Sequence, residues 1–151
     1  MAINRLLNFD HARTKEQSDL MKKIEKDMVC PFCWENLEKY HPEPIIKKGF
    51  WWLITKNAFP YKGTLNHFLL IYKYHVAKIS MITPQASTEL LTLLSWLEKK
   101  YKIKGGGVFM RFGETQRNGS SVEHLHLQLV QGNSKKSIGA KTLKVKLGYF
   151  K

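Results

Sequence analysis

Two groups of residues in this chain are spaced for chemistry. Along VEHLHLQLV, residues 122–130, His124, His126 and Gln128 recur at every second position with leucines between them. Alternation with period two marks a half-buried strand, because successive side chains point to opposite faces. Leu125, Leu127 and Leu129 then face a core. The two imidazoles and the carboxamide line up on the other face, roughly 7 Å from neighbour to neighbour at ~3.3 Å rise per residue. A solvated strand face draws Lys, Glu, Thr and Ser, all plentiful here, so two of the six histidines in one row is a mild excess. An imidazole in such a row can act as nucleophile, base or metal ligand.

The second group is Cys30 and Cys33, the only cysteines, in a C-x-x-C pair. A thioredoxin-like redox pair needs a surrounding βαβ pattern, and none is visible. A closed tetrahedral zinc site needs two further ligands. The histidines available are His11, His41, His67, His75, His124 and His126. The zinc reading strengthens if His75, which ends the LLIYKYH stretch, and His124 converge on the thiols.

Composition bounds the setting. The chain has 151 residues, 43% hydrophobic and 25% charged, which fits one soluble domain, residues 1–151, with a respectable core. No apolar run approaches the ~18 residues of a membrane span. The first residues lack the continuous apolar segment of a secretory signal, so the cytoplasm is the expected location and a disulfide is not expected. With 25 Lys and Arg against 12 Asp and Glu, the net charge is +13. That surplus attracts anions such as nucleotides, polyphosphates or nucleic acid. Most of it is lysine; Arg5, Arg13, Arg111 and Arg117 alone offer a planar fork for phosphate.

The elements that must position these groups follow from pattern. Residues 11–27 carry Leu20 and Ile24 at helical spacing, with Met28 next in step, and form an N-terminal helical arm, residues 1–29, leading into CPFC. Strands follow at IIKK, GFWWLITK and NHFLLIYKYH, with NAFPYKGT as a loop around Pro60 and Gly63. Trp51 and Trp52 read as core and edge residues of their strand. Thr83 and Pro84 cap a long helix with Leu90, Leu93, Leu94 and Leu97 on one face, ended by residues 105–107. VFMRFG is a strand, ETQRNGSS a loop, and VEHLHLQLV the strand of the polar row. Residues 30–130 form the core, and residues 131–151 a basic extension whose TLKVKLGYF is one last strand or a tail. The sum is an α+β unit on an antiparallel sheet.

GETQRNGSSVEHLHLQLV, together with CPFC and NAFPYKGTLNHFLLIYKYHV in that order, resembles the histidine-triad (HIT) superfamily. Its signature is His-φ-His-φ-His-φ-φ after a Gly-rich phosphate loop, with φ apolar. Gln128 departs from it, standing where the third His would be. His-x-His-x-Gln is similar to the branch of galactose-1-phosphate uridylyltransferase and the diadenosine tetraphosphate phosphorylases, although the short chain looks nearer to small HIT proteins.

The resemblance implies a fold, a chemistry and a partner. The fold would be a HIT-like antiparallel sheet with one long helix and an N-terminal helix, dimerising through the sheet as a homodimer. His126 would be the nucleophile, attacking the α-phosphorus of a nucleotide or dinucleoside polyphosphate and carrying a covalent nucleotidyl group. Its pKa would sit near the ordinary ~6.5, its second nitrogen donating to a carbonyl. Gln128 would donate an amide N–H to phosphate without supplying a proton. Ser121 would bond phosphate, with Gly119 and Ser120 presenting backbone N–H groups and Arg117 or Arg111 adding charge. Asn57 would hold the ribose, Phe59 is a weaker candidate for base stacking, and His67 would make a structural hydrogen bond. Cys30, Cys33, His75 and His124 would bind a structural zinc. The competing reading is a zinc-stabilised nucleotide- or nucleic-acid-binding protein without turnover.

Overall fold

The computed structural model describes residues 6–151. Five strands make one antiparallel sheet: β1 (Ile45–Lys48), β2 (Trp52–Lys56), β3 (Asn66–Tyr72), β4 (Gly107–Arg111) and β5 (His126–Gln131). Their spatial order is β1-β2-β3-β5-β4. The central pair runs from Asn66↔Gln131 to Ile71↔His126, and β4 flanks β5 with Arg111↔His126. β3 is buried from His67 to Tyr72, because both faces of the sheet are covered there.

One face packs on α3 (Pro84–Lys100). Thr83 caps it by accepting from the Ala86 N–H, and Pro84 at the first helical position loses no helical bond. Ala86, Leu90, Leu93 and Leu97 bury against Trp52, Ile54, Phe68, Leu70, Leu127 and Leu129. The leucines of VEHLHLQLV therefore face this core, and Trp52 is fully buried. From α3, the Glu89 carboxylate accepts from the backbone N–H groups of Phe50, Trp51 and Trp52, fastening the turn into β2. A Cβ on Gly49 would lie 2.6 Å from that carboxylate, so a side chain there would push Glu89 off these three N–H groups.

The other face carries the N-terminal elements. A 3₁₀ turn (Phe9–His11) precedes α1 (Lys15–Asp27), which Thr14 caps by accepting from the Gln17 N–H. Its buried side is Gln17, Met21 and Ile24, with Leu20 half-buried. Leu20 and Ile24 of the expected stripe thus face inward on α1, but Met28 does not. The helix stops at Asp27, Met28 turns left-handed at φ 53°, and its side chain is 86% exposed. A short helix, α2 (Trp34–Tyr40), follows the cysteine pair and sends Leu37 under Leu53, Leu69 and Ile71. Seven residues give too little periodicity to mark it in sequence. The loop ETQRNGSS contains one helical turn, α4 (Thr115–Asn118). Residues 132–151 form neither helix nor strand, so TLKVKLGYF is a tail. No helix among the described residues is long and apolar enough to cross a membrane.

Candidate active site

β5 places His126 and Gln128 on the sheet face opposite α3, while His124 stands just before the strand begins. This row is not a solvated face. His124, His126 and Gln128 are 2%, 4% and 4% exposed. Phe32, from the C-x-x-C turn, sets its ring edge-on to both imidazoles, with centroids 6.1 Å from His124 and 5.2 Å from His126.

The tautomer of His126 follows from its partner. Nδ1 lies 2.6 Å from the His124 carbonyl oxygen, which only accepts, so Nδ1 carries the proton and Nε2 the lone pair. Burial holds its pKa down at about 4, with the Arg111 guanidinium adding to the shift. The ring is thus more firmly neutral at pH 7 than the ordinary value expected from sequence.

His124 is oriented the opposite way round. Its Nε2–H donates to the Tyr72 carbonyl at 2.6 Å, leaving the Nδ1 lone pair toward Cys30 Sγ at 3.3 Å and Cys33 Sγ at 3.9 Å. Asn36 holds the Cys30 carbonyl, and the Trp34 N–H donates to the Lys73 carbonyl, tying the C-x-x-C turn to the end of β3. One ligand atom each from Cys30, Cys33, His75 and His124 lies within 4.8 Å of the others; three of these residues are buried and His75 is exposed. Tetrahedral zinc at 2.0–2.3 Å from its ligands needs them roughly 3.3–3.8 Å apart, so a contraction of up to about 1.5 Å suffices. Burial raises both thiols, Cys33 to about 12, so they stay protonated unless a cation lies among them. A soft, two-thiol and two-imidazole set of this kind suits zinc.

Gln128 is held by His67. The Tyr61 N–H donates to His67 Nδ1 at 3.2 Å, so Nε2 bears the proton and donates to Gln128 Oε1 at 2.7 Å. The Gln128 amide nitrogen is thereby directed away from His67. Burial lowers His67 to about 4, against ~6.5 when unfolded. A depressed histidine pKa means the unfolded chain binds the extra proton, so stability is lost as pH falls from 6.5 toward 4. Thermal melts should show about 2 kcal/mol less stability at pH 5 than at pH 7 from this residue. A His67→Asn variant should lose correspondingly less, and an identical pH slope would contradict the assignment.

The loop before the row ends α4 on Gly119, whose φ is +69°. A Cβ there would meet Arg111 Nη1 at 2.9 Å and the Lys146 carbonyl at 2.8 Å. Ser121 is half-buried, lines the cleft and takes a 3.5 Å contact from Gln17 Nε2. Ser120 also lines it, but its hydroxyl turns inward to Val122 and its N–H donates to Asn118 Oδ1. That N–H is therefore already engaged. His11 donates from Nδ1 to the Ser120 carbonyl at 2.7 Å, and Tyr149 of the tail donates to its Nε2 at 2.8 Å. Asn57 lines the cleft with its side chain against His67 and the Phe59 N–H. Phe59 is half-buried at the rim. Arg117 is exposed, pairs with Glu114 at 2.7 Å and does not line the cleft. Arg111 does, buried beside His126.

The cleft holds about 90 Å³ of open space, below the ~300–1,000 Å³ of typical small-molecule sites, so a nucleotide needs its lining to move apart. Its floor is His126 and Gln128, and its apolar wall is Leu20, Met21, Ile24, Phe32 and Tyr40. His11 stood in the sequence only among the available histidines and Arg13 only among the four arginines able to fork a phosphate; the packing of the N-terminal segment over the sheet brings both to the cleft. Tyr61, not singled out in the sequence, touches both Arg13 and Arg111.

No protein-family model matches the chain, and no curated protein matches it significantly. Solved structures do. A histidine triad nucleotide-binding protein from Candida albicans superposes with TM-score 0.58 at 19% identity, over 78% of this chain and 87% of that one. A HIT family hydrolase from Clostridium thermocellum gives 0.53 at 24%, over 76% and 96%. A Zn-bound histidine triad family protein from Mycobacterium smegmatis gives 0.55 at 18%, over 74% and 81%. The fold is that of the histidine-triad proteins.

Proposed function

We propose that this histidine-triad-fold chain transfers or hydrolyses nucleotides through a covalent nucleotidyl-histidine on His126. The observation that carries the reading is a buried, neutral imidazole whose Nδ1–H is committed to a carbonyl and whose Nε2 lone pair is thereby left free at the floor of a cleft. In the first step Nε2 forms a bond to the α-phosphorus. The phosphorus–oxygen bond to the leaving group breaks, and its electron pair departs with that oxygen. The ring becomes positively charged, and the His124 carbonyl at Nδ1 stabilises it. An acceptor oxygen then attacks phosphorus, and the P–N electron pair returns to Nε2; inorganic phosphate attacks as an anion, whereas water gives up its proton to solvent as the monophosphate forms.

Gln128 and Ser121 donate to phosphate oxygens, and Gly119 lets the loop approach them. An amide cannot deliver a proton. The site therefore favours a polyphosphate leaving group, which departs as an anion, over an amine, which must be protonated. Dinucleoside polyphosphates fit that requirement. Zinc held by Cys30, Cys33, His75 and His124 would act structurally, crosslinking the C-x-x-C turn to the end of β3. A second copy would pair through the sheet, where β4 is an edge strand with Val108 exposed.

The test is a panel of dinucleoside polyphosphates and nucleoside phosphoramidates, with and without inorganic phosphate. The expected substrates are the polyphosphates. Diphosphate products that require added phosphate identify a phosphorylase; monophosphate products in water alone identify a hydrolase. Absence of any product, with no label on the protein, overturns the proposal.

A further inference from the structure

Arg13 and Arg111 reach the same cleft from distant parts of the chain, one from the segment before α1 and one from β4. Tyr61 gathers them. The Arg13 guanidinium lies over its ring, 4.6 Å from the centroid, and Arg111 Nη2 donates to its hydroxyl at 3.0 Å. Their other bonds go to backbone carbonyls, Arg13 to Phe59 and Arg111 to Asn118. Among the described residues neither arginine has a carboxylate partner, and no acidic residue lines the cleft. Arg111 is 4% exposed, and it stands directly across from His126 in the β4–β5 register. Two like charges drawn onto one phenol, one of them buried, carry an electrostatic penalty that a bound anion offsets.

We infer that Arg13, Arg111 and Tyr61 form a subsite for phosphates beyond the one attacked by His126. The reading rests on the proposed function for where the α-phosphate sits, with that phosphate on Nε2 and Gln128. Arg111, next to His126, reaches the bond that breaks or the incoming phosphate. Arg13, farther out and exposed at the cleft mouth, holds the next group along the chain. Planar guanidinium forks bind such oxygens two at a time. The ligand class is a nucleotide bearing two or more phosphates, not a monophosphate ester or amidate.

The test is binding, without added divalent cations, of AMP, ADP and ATP and of UMP, UDP and UTP. The full-length protein is used at fixed ionic strength. Affinity should rise with phosphate number, by at least about tenfold from mono- to triphosphate. Arg13→Gln should reduce that ratio to about threefold or less while leaving the monophosphate within about twofold, because Arg13 touches only the outer phosphates. Arg13→Lys should restore part of the ratio. Lys99→Gln, on the exposed side of α3, removes the same charge and should leave it unchanged. Arg13 is exposed, so its substitution does not threaten the fold as an Arg111 change would. Equal affinities within both series, a ratio untouched by Arg13→Gln, or failure of both series to bind overturns the subsite. Covalent labelling of His126 reads the underlying proposal separately: graded binding without label upholds the subsite and removes the transfer chemistry, and label without grading does the reverse.

Discussion

Replacing His126 with alanine is expected to lower turnover by about 10³-fold or more while nucleotide binding persists. A covalent mechanism has no substitute for its nucleophile, and losses of this size follow when one is removed from an assembled site. The proposed binding groups, by contrast, are other residues: Ser121 and Gly119 on the loop, Gln128 two residues along the same strand and Arg111 on β4. Radiolabelled nucleotide should trap as an acid-labile adduct on the wild-type chain and not on His126→Ala. The truncation leaves a small cavity and an unpaired His124 carbonyl, so His126→Asn, which refills much of the volume, should be read beside it. An equal label on either variant would remove His126 from the mechanism. If both variants retained every role, with salt-steep binding to oligonucleotides, the non-catalytic binding reading would take its place.

Removing the metal should have the second largest effect. Purified protein is expected to carry about one equivalent of zinc, from the four-ligand stoichiometry. Cys30→Ser should lower this to a small fraction. At metal concentrations a thousandfold above the dissociation constant, binding contributes about 4 kcal/mol to stability. At roughly 2–4 °C per kcal/mol for a chain this size, chelation or Cys30→Ser should lower the melting temperature by roughly 8–16 °C. The cluster lies where the C-x-x-C turn, the end of β3 and the approach to β5 meet, so its loss should loosen all three. Metal content below about half an equivalent in the wild type, unchanged by Cys30→Ser, would overturn the four-ligand set.

Regular structure was readable wherever side chains obey a period. The alternation of residues 124–129 gave the two faces of β5, and Thr83-Pro84 with leucines at helical spacing gave α3. The fold class followed from the same patterns, and the motif order gave the resemblance that solved structures of the fold match. What a pattern cannot carry is what covers a face. The polar row looks half-solvated in sequence, yet Phe32 and the N-terminal segment bury it, which is why the depressed histidine pKa values were not foreseen. Helix ends were equally hidden: Met28 fits the apolar stripe of α1 but lies past its last turn. Long-range partners escaped too. His11 touches Ser120 across 109 positions and Tyr149 across 138, and no local spacing encodes such contacts. Arg111 and Arg117 were indistinguishable in sequence; strand register buries the first, and Glu114 occupies the second outside the cleft.

One residue belongs to both halves of the proposed chemistry. The ring of His124 faces the thiols, while its main-chain oxygen steadies the imidazole two positions later. The thiol corner and the reactive ring therefore share a hinge of a single peptide unit. Any perturbation that lets that unit swivel would spoil the aim of the attacking nitrogen well before the sheet came apart, so a demetallated chain would fail as a catalyst while still passing for a folded protein.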